Sequence, residues 1–157
     1  MRVLLQRVVR AKVTVGDEIV GAIGPGMLLL VGISAIDTPD LAGQLASKCV
    51  NLRIFDDDQG VMNRSLADLR SVGDDAAVLA VSQFTLYADT RKGRRPSYVD
   101  AAPPNIALPV FELFVSTIRE MQVPVQTGQF GAEMAVELVN DGPVTIWLDS
   151  DALRRGM

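Results

Sequence analysis

The sequence predicts a single α+β domain: an antiparallel or mixed β-sheet, partly barrel-like, with two amphipathic helices packed on it. Three observations predict it. Residues 2–33 carry partly alternating, valine-rich runs broken at Gly16-Asp17 and at Gly24-Pro25-Gly26. Residues 39–52 and 106–121 space their apolar side chains as helices do. The strands also come in blocks before and after the helices, which argues against a doubly wound parallel sheet.

Taken in order, residues 2–15 read as a long strand, and Gly16-Asp17 as the turn after it. Residues 18–23 and 27–33 follow as two more strands, so the three make an antiparallel meander. Thr38-Pro39-Asp40 opens a helix: Thr38 is the N-cap, and Pro39 stands at the first position, where its missing N–H has no partner to lose. Leu41, Leu45, Cys49 and Leu52 share its inner face. Val50 to Phe55 either closes that helix or begins the next strand. Residues 76–84 form the central apolar strand, and 87–105, charged and proline-rich, a long surface loop or lid of the kind that often carries function. The second helix turns Val110, Phe111, Phe114, Ile118 and Met121 inward. Residues 123–125, 133–139 and 144–148 supply three last strands. The domain is expected over 1–150, with 151–157 a flexible tail that frays at Arg154–Met157.

At 157 residues the chain is long enough for one continuous core. No run approaches the roughly 18 apolar residues of a membrane span, and the first residues lack a signal-peptide pattern. The single cysteine, Cys49, excludes an intramolecular disulfide and fits a reducing cytosol, so a cytoplasmic location is expected.

Two absences limit the chemistry. There is no histidine, which excludes Ser-His-Asp and Cys-His catalysis. One cysteine without histidine cannot supply a zinc site. Asp56-Asp57-Asp58 leaves a cation site of oxygen ligands open, yet Gln59-Gly60 behind it reads better as a solvated turn. No metal and no cofactor are expected, since no glycine-rich phosphate loop joins a strand to a helix.

The net charge of −4 argues against a general nucleic-acid coat protein, and neither DNA nor membrane is an expected partner. Charge is uneven, however. Arg2, Arg7, Arg10 and Lys12 have no acid among them, and Arg91-Lys92-Gly93-Arg94-Arg95 is either a solvated loop or a local phosphate-binding strip.

Two segments stand out. Ser82-Gln83-Phe84-Thr85-Leu86 follows the apolar strand into a polar loop. Asn140-Asp141-Gly142-Pro143-Val144-Thr145 sets a Gly-Pro step between two β-rich runs, which taken alone reads as hairpin punctuation. Together they closely resemble the signature of the D-aminoacyl-tRNA deacylases, and the resemblance runs from Met1 to about Ser150.

The resemblance implies a homodimeric esterase that frees D-amino acids, and mischarged glycine, from the 3′ end of tRNA while sparing L-aminoacyl-tRNA. It implies that Gly142-Pro143 is cis and reaches into the partner subunit's site, forming a backbone filter that excludes L-substituents. It also implies that Arg7 supports that motif, that Arg94 and Arg95 lie near the tRNA end, and that Phe130 and Met134 receive the terminal adenosine. Taken alone, Phe130 and Met134 read as core residues. An aminoacyl ester is already activated, so backbone donors and positioned water suffice; one such donor is worth about 3 kcal/mol. Ser82, Gln83, Phe84 and Thr85 are the catalytic candidates, with the Phe84 and Thr85 amides facing the scissile carbonyl. Two rivals stay open: a hydrolase with Thr85 as nucleophile, and a non-catalytic RNA-binding module centred on residues 91–95.

Overall fold

The computed structural model describes residues 1–154. Its spine is β1 (Arg2–Val15), and β8 (Ala135–Asp149) runs antiparallel along one edge of it. On the other edge β1 pairs with β3 (Gly26–Gly32) along Arg2–Val8 and with β2 (Glu18–Ile23) along Ala11–Val15. The two lie end to end on the long β1 instead of pairing with each other, so the predicted three-strand meander is not formed. Beyond β3 the sheet is parallel, through β6 (Ala77–Ser82) to β7 (Val125–Thr127), so it is mixed. Parallel pairing needs a long crossover, which the helices provide. The sheet nearly closes as a barrel where β2 meets β7: a Cβ on Gly21 would lie 2.6 Å from the Thr127 carbonyl oxygen.

The sheet buries both faces. Val3, Leu5, Met27, Leu29 and Val31 meet the helices, whereas Val8, Ala11, Val13, Leu28 and Leu79 fill the barrel interior. Burial on two sides explains why β3 is apolar at nearly every position. Helix α1 (Pro39–Asn51) covers the first face with Leu41, Leu45 and Cys49, and the Thr38 hydroxyl accepts from the Leu41 N–H at 3.4 Å, as its cap position requires. Burial pushes the Cys49 thiol up to about 12, which keeps it neutral.

Val50 and Asn51 end α1, and the chain extends from Leu52 into a small hairpin, β4 (Phe55–Asp56) and β5 (Met62–Arg64). The acidic run forms its turn. Asp57 Oδ1 accepts from the Val61 and Gln59 N–H groups at 3.0 and 2.9 Å, which hold that carboxyl below its usual range. Asp58 pairs with Arg64 at 2.9 Å. A helix the sequence reading lacked, α2 (Leu66–Ser71), follows a reciprocal Ser65–Asp68 capping box.

Helix α3 (Pro104–Glu120) begins before residue 106, because Pro104 starts it as Pro39 starts α1. Val110, Phe111, Phe114 and Ile118 are buried as predicted; Met121 is half-buried at the C-cap. Three further boundaries differ. Strand β6 stops at Ser82, where the chain tightens into a 3₁₀ turn (Phe84–Tyr87). The strand predicted over 123–125 pairs with β6 at 125–127, two residues further on. The two predicted tail strands, 133–139 and 144–148, are one strand, since the Gly-Pro step bulges without reversing the chain. A short helix, α4 (Ser150–Arg154), follows β8 and takes in the first part of the predicted tail; of the fraying predicted at 154–157, residues 155–157 lie outside the described residues. Among the described residues no helix is long and apolar enough to cross a membrane.

Candidate active site

Strands β3 and β6 end together, Val31 beside Ser82, at a cavity of about 550 Å³. Its walls are mostly apolar and include Ser82, Gln83, Phe84, Tyr98, Phe130 and Met134. The Gln83 N–H donates to Val31 O at 2.7 Å, the last ladder bond before the 3₁₀ turn. Within the turn the bonds run from Leu86 N–H to Gln83 O and from Ala88 N–H to Thr85 O, at 3.2 and 3.0 Å. The N–H groups of Phe84 and Thr85 precede this ladder, so they are donors without an acceptor in the turn itself. The Gln83 side-chain amide donates to Thr85 Oγ1 at 2.5 Å, and Thr85 lies off the cavity wall.

Phe84 is 58% exposed, and its ring meets Tyr98 edge-on at 5.2 Å between centroids. Across the cavity, half-buried Phe130 leans on Phe111 at 6.3 Å. Met134 lies beside Gly128, where a Cβ would come within 2.5 Å of its Sδ, so the bare glycine is what lets the thioether sit there. Tyr98 was not among the sequence candidates; its signal was an aromatic closing a basic, proline-containing loop. That loop is tied by paired backbone bonds between Asp89 and Ser97, at 2.8 and 2.9 Å. Asp89 also clamps Arg91 at 2.8 and 2.7 Å, and this holds its carboxyl well below the usual range. Arg94 and Arg95 are exposed on the same loop, outside the cavity.

The second motif forms a separate structure. The Gly142-Pro143 bond is cis, and both residues are exposed. Gln6 pairs with Thr145 and Val8 with Asn140, so Asp141 to Val144 bulge opposite Arg7 alone. Arg7 is buried, at 6% exposure, and fastens the bulge to the hairpin. Its Nη1 donates to Ile54 O at 2.5 Å and its Nε to Asp141 O at 3.2 Å. The carboxylates of Asp56 and Asp141 lie 3.5 and 3.2 Å from the guanidinium. The Asn140 side-chain amide closes the base of the bulge, donating to Arg7 O at 2.9 Å and to Val144 O at 3.1 Å. Gly142 has φ 127°, and a Cβ there would lie 2.8 Å from Arg7 Nη2. The structure thus gathers Ser82, Gln83, Phe84, Phe130 and Met134 at one cavity, and Arg7 with Gly142-Pro143 elsewhere on the same chain.

Comparison with known proteins bears on both assemblies. The family profile described as D-Tyr-tRNA(Tyr) deacylase matches residues 4–149. The D-aminoacyl-tRNA deacylase of Thermomicrobium roseum is 60% identical over 99% of this chain and 98% of its own. That of Thermus aquaticus is 55% identical over 96% of this chain and 95% of its own. Among solved structures, one named c-Myc DNA Unwinding Element Binding Protein superposes with a TM-score of 0.85 at 38% identity, covering 95% of this chain and 98% of that one. A probable eukaryotic D-amino acid tRNA deacylase superposes at 0.80 with 18% identity over 94% and 98% of the two chains, a likeness of fold alone. With the profile spanning nearly the whole chain and relatives this similar end to end, the chain belongs to the D-Tyr-tRNA(Tyr) deacylase family.

Proposed function

We propose that this chain is a proofreading hydrolase that frees D-amino acids from tRNA, with the Ser82–Thr85 segment as its catalytic element. The observation that carries the reading is the juxtaposition at one cavity of the unladdered Phe84 amide with Phe130 and Met134. The terminal adenosine stacks on Phe130 and packs its edge on Met134. The ester carbonyl then lies against the Phe84 and Thr85 N–H groups, which stabilise the negative charge that develops on its oxygen as water attacks. The 2′-hydroxyl next to the ester supplies proton handling that no side chain here is required to give. Ser82 lines the cavity and the Gln83 side chain holds the segment through Thr85, a contact that fits Thr85 better as a structural hydroxyl than as a nucleophile.

The chiral filter is the exposed Gly142-Pro143 step. It lies away from its own chain's cavity, which supports a homodimer in which each subunit completes the other's site. Backbone atoms there meet the α-ammonium group and leave no room for an L-side chain, so glycine passes as well. Arg94 and Arg95 flank the acceptor end. The domain covers residues 1–150, acts in the cytoplasm and uses no cofactor.

The test is release of amino acid from D-tyrosyl-, L-tyrosyl- and glycyl-tRNA, with EDTA in one arm. Loss of the D-ester and glycine with the L-ester intact, unaffected by EDTA, is expected. Survival of all three esters refutes the reading. Thr85→Ala is expected to keep substantial activity; near-complete loss with an intact fold would restore the nucleophile mechanism.

A further inference from the structure

A turn that presents two amides to a reacting carbonyl must be held in place, and β6 supplies only the Gln83–Val31 bond at its entrance. Two other residues confine it. Below it lies Gly32, the last residue of β3, where a Cβ would stand 2.9 Å from Leu86 Cβ and 3.0 Å from Gln83 O. The turn therefore rests on bare backbone. Above it lies Arg2. Its Nη1 donates to Leu86 O at 2.9 Å, one of the carbonyls that the end of a 3₁₀ turn leaves without an internal donor. Its Nε donates to Asp149 Oδ2 at 3.1 Å, so the same guanidinium is anchored on β8. Its central carbon stands 4.4 Å from the Tyr87 ring centroid and 5.8 Å from that of Trp147. Tyr87, the turn's last residue, is itself buried.

We infer that Arg2 is a positioning residue for deacylation: it straps the 3₁₀ turn down onto Gly32, fixing the Phe84 and Thr85 amides relative to the cavity. This rests on those amides being the carbonyl's donors, as proposed above. Only a planar, forked cation spans the Leu86 carbonyl and the Asp149 carboxylate while stacking on rings. Phe130 and Met134 lie on other elements, so substrate affinity does not depend on the strap. A displacement of the donors of about 1 Å lowers the rate by as much as about 100-fold.

The experiment compares Arg2→Met, Arg2→Lys and Gly32→Ala, the last reaching the turn from its opposite side. It reads kcat and KM on D-tyrosyl-tRNA, amide hydrogen exchange at residues 84–88, and thermal melting. Arg2→Met is expected to lower kcat by about 10- to 100-fold with KM within about twofold, and to speed exchange at Leu86 and Ala88. Arg2→Lys should recover a minor part, and Gly32→Ala should reproduce the kcat loss. Unchanged exchange in Arg2→Met refutes the strap. Faster exchange with unchanged kcat refutes the catalytic assignment of the two amides and, with it, the positioning role. A kcat loss matched by an equal rise in KM also overturns it.

Discussion

Replacing Arg7 by methionine removes the one buried cation that joins the Gly-Pro bulge to the β4–β5 hairpin. The cost follows from its partners. Asp56 and Asp141 are 54% and 49% exposed at their side chains, so both carboxylates rehydrate when the cation goes. Their ion pairs therefore count at the surface scale, about 0–1 kcal/mol each. The Ile54 carbonyl has no such recourse: its residue is 4% exposed, and leaving that acceptor unpaired costs about 1–3 kcal/mol. Methionine retains most of the aliphatic packing, which keeps any cavity contribution small. The total is about 1–5 kcal/mol, a fall in Tm of roughly 2–20 °C for a chain of this size. The bulge also loses its lateral anchor, so hydrolysis of L-tyrosyl-tRNA should rise relative to D-tyrosyl-tRNA. Arg7→Lys keeps the charge but reaches only one of the two carbonyls, and should recover half of the loss or less. Thermal melting and paired initial rates on the two esters measure both effects. A melting point within about 2 °C of the parent, with an unchanged D-to-L rate ratio, would refute the reasoning.

Three other outcomes follow from the same geometry. Gly142→Ala places a Cβ at φ 127° and 2.8 Å from Arg7 Nη2, and should cost about 1–3 kcal/mol in melting while eroding D-over-L selectivity. Gly128→Ala drives the Met134 thioether off the cavity wall; being a flexible end it moves at little cost, so KM should rise several-fold with Tm nearly unchanged. Asp68 is held below its usual range by the Ser65 N–H and hydroxyl. Its folded value is depressed, so its stabilisation is present above the unfolded value near about 3.9 and fades as pH falls through the folded one. Urea melts of Asp68→Asn and the parent should therefore differ at neutral pH and converge toward pH 2–3; a constant gap would refute this.

Much of the fold was legible because its signals are local. Thr38-Pro39 marked α1, the glycines at 16 and 24–26 marked the ends of β1, β2 and β3, and the spacing from Val110 to Ile118 marked α3. The meander was not, because the length of β1 lets it pair with both β2 and β3 along one edge. Helix α2 was missed because its six residues are too short for periodicity, although its Ser65–Asp68 cap was written in the sequence. The Gly-Pro step was misplaced between strands because dipeptide chemistry cannot distinguish a reversal from a bulge. That choice belongs to β1, whose register with β8 slips on both sides of Val8. The candidate site was legible only in part. Ser82, Gln83, Phe84, Phe130 and Met134 line one cavity, whereas Thr85 lies off its wall. Tyr98, Gly128 and the Arg2 strap were not visible, since each matters through what it touches across the fold.

Caps, turns, apolar faces and the lack of any imidazole are written in the sequence, because they depend on residue type and on neighbours a few positions away. Where the polar groups find their partners depends on the folded chain. Asn140 reaches Arg7 across 133 positions, and Arg2 reaches Asp149 across 147. Such contacts are set by strand register and barrel closure. A shift of one residue in either would turn Arg7 from the hairpin to the barrel interior.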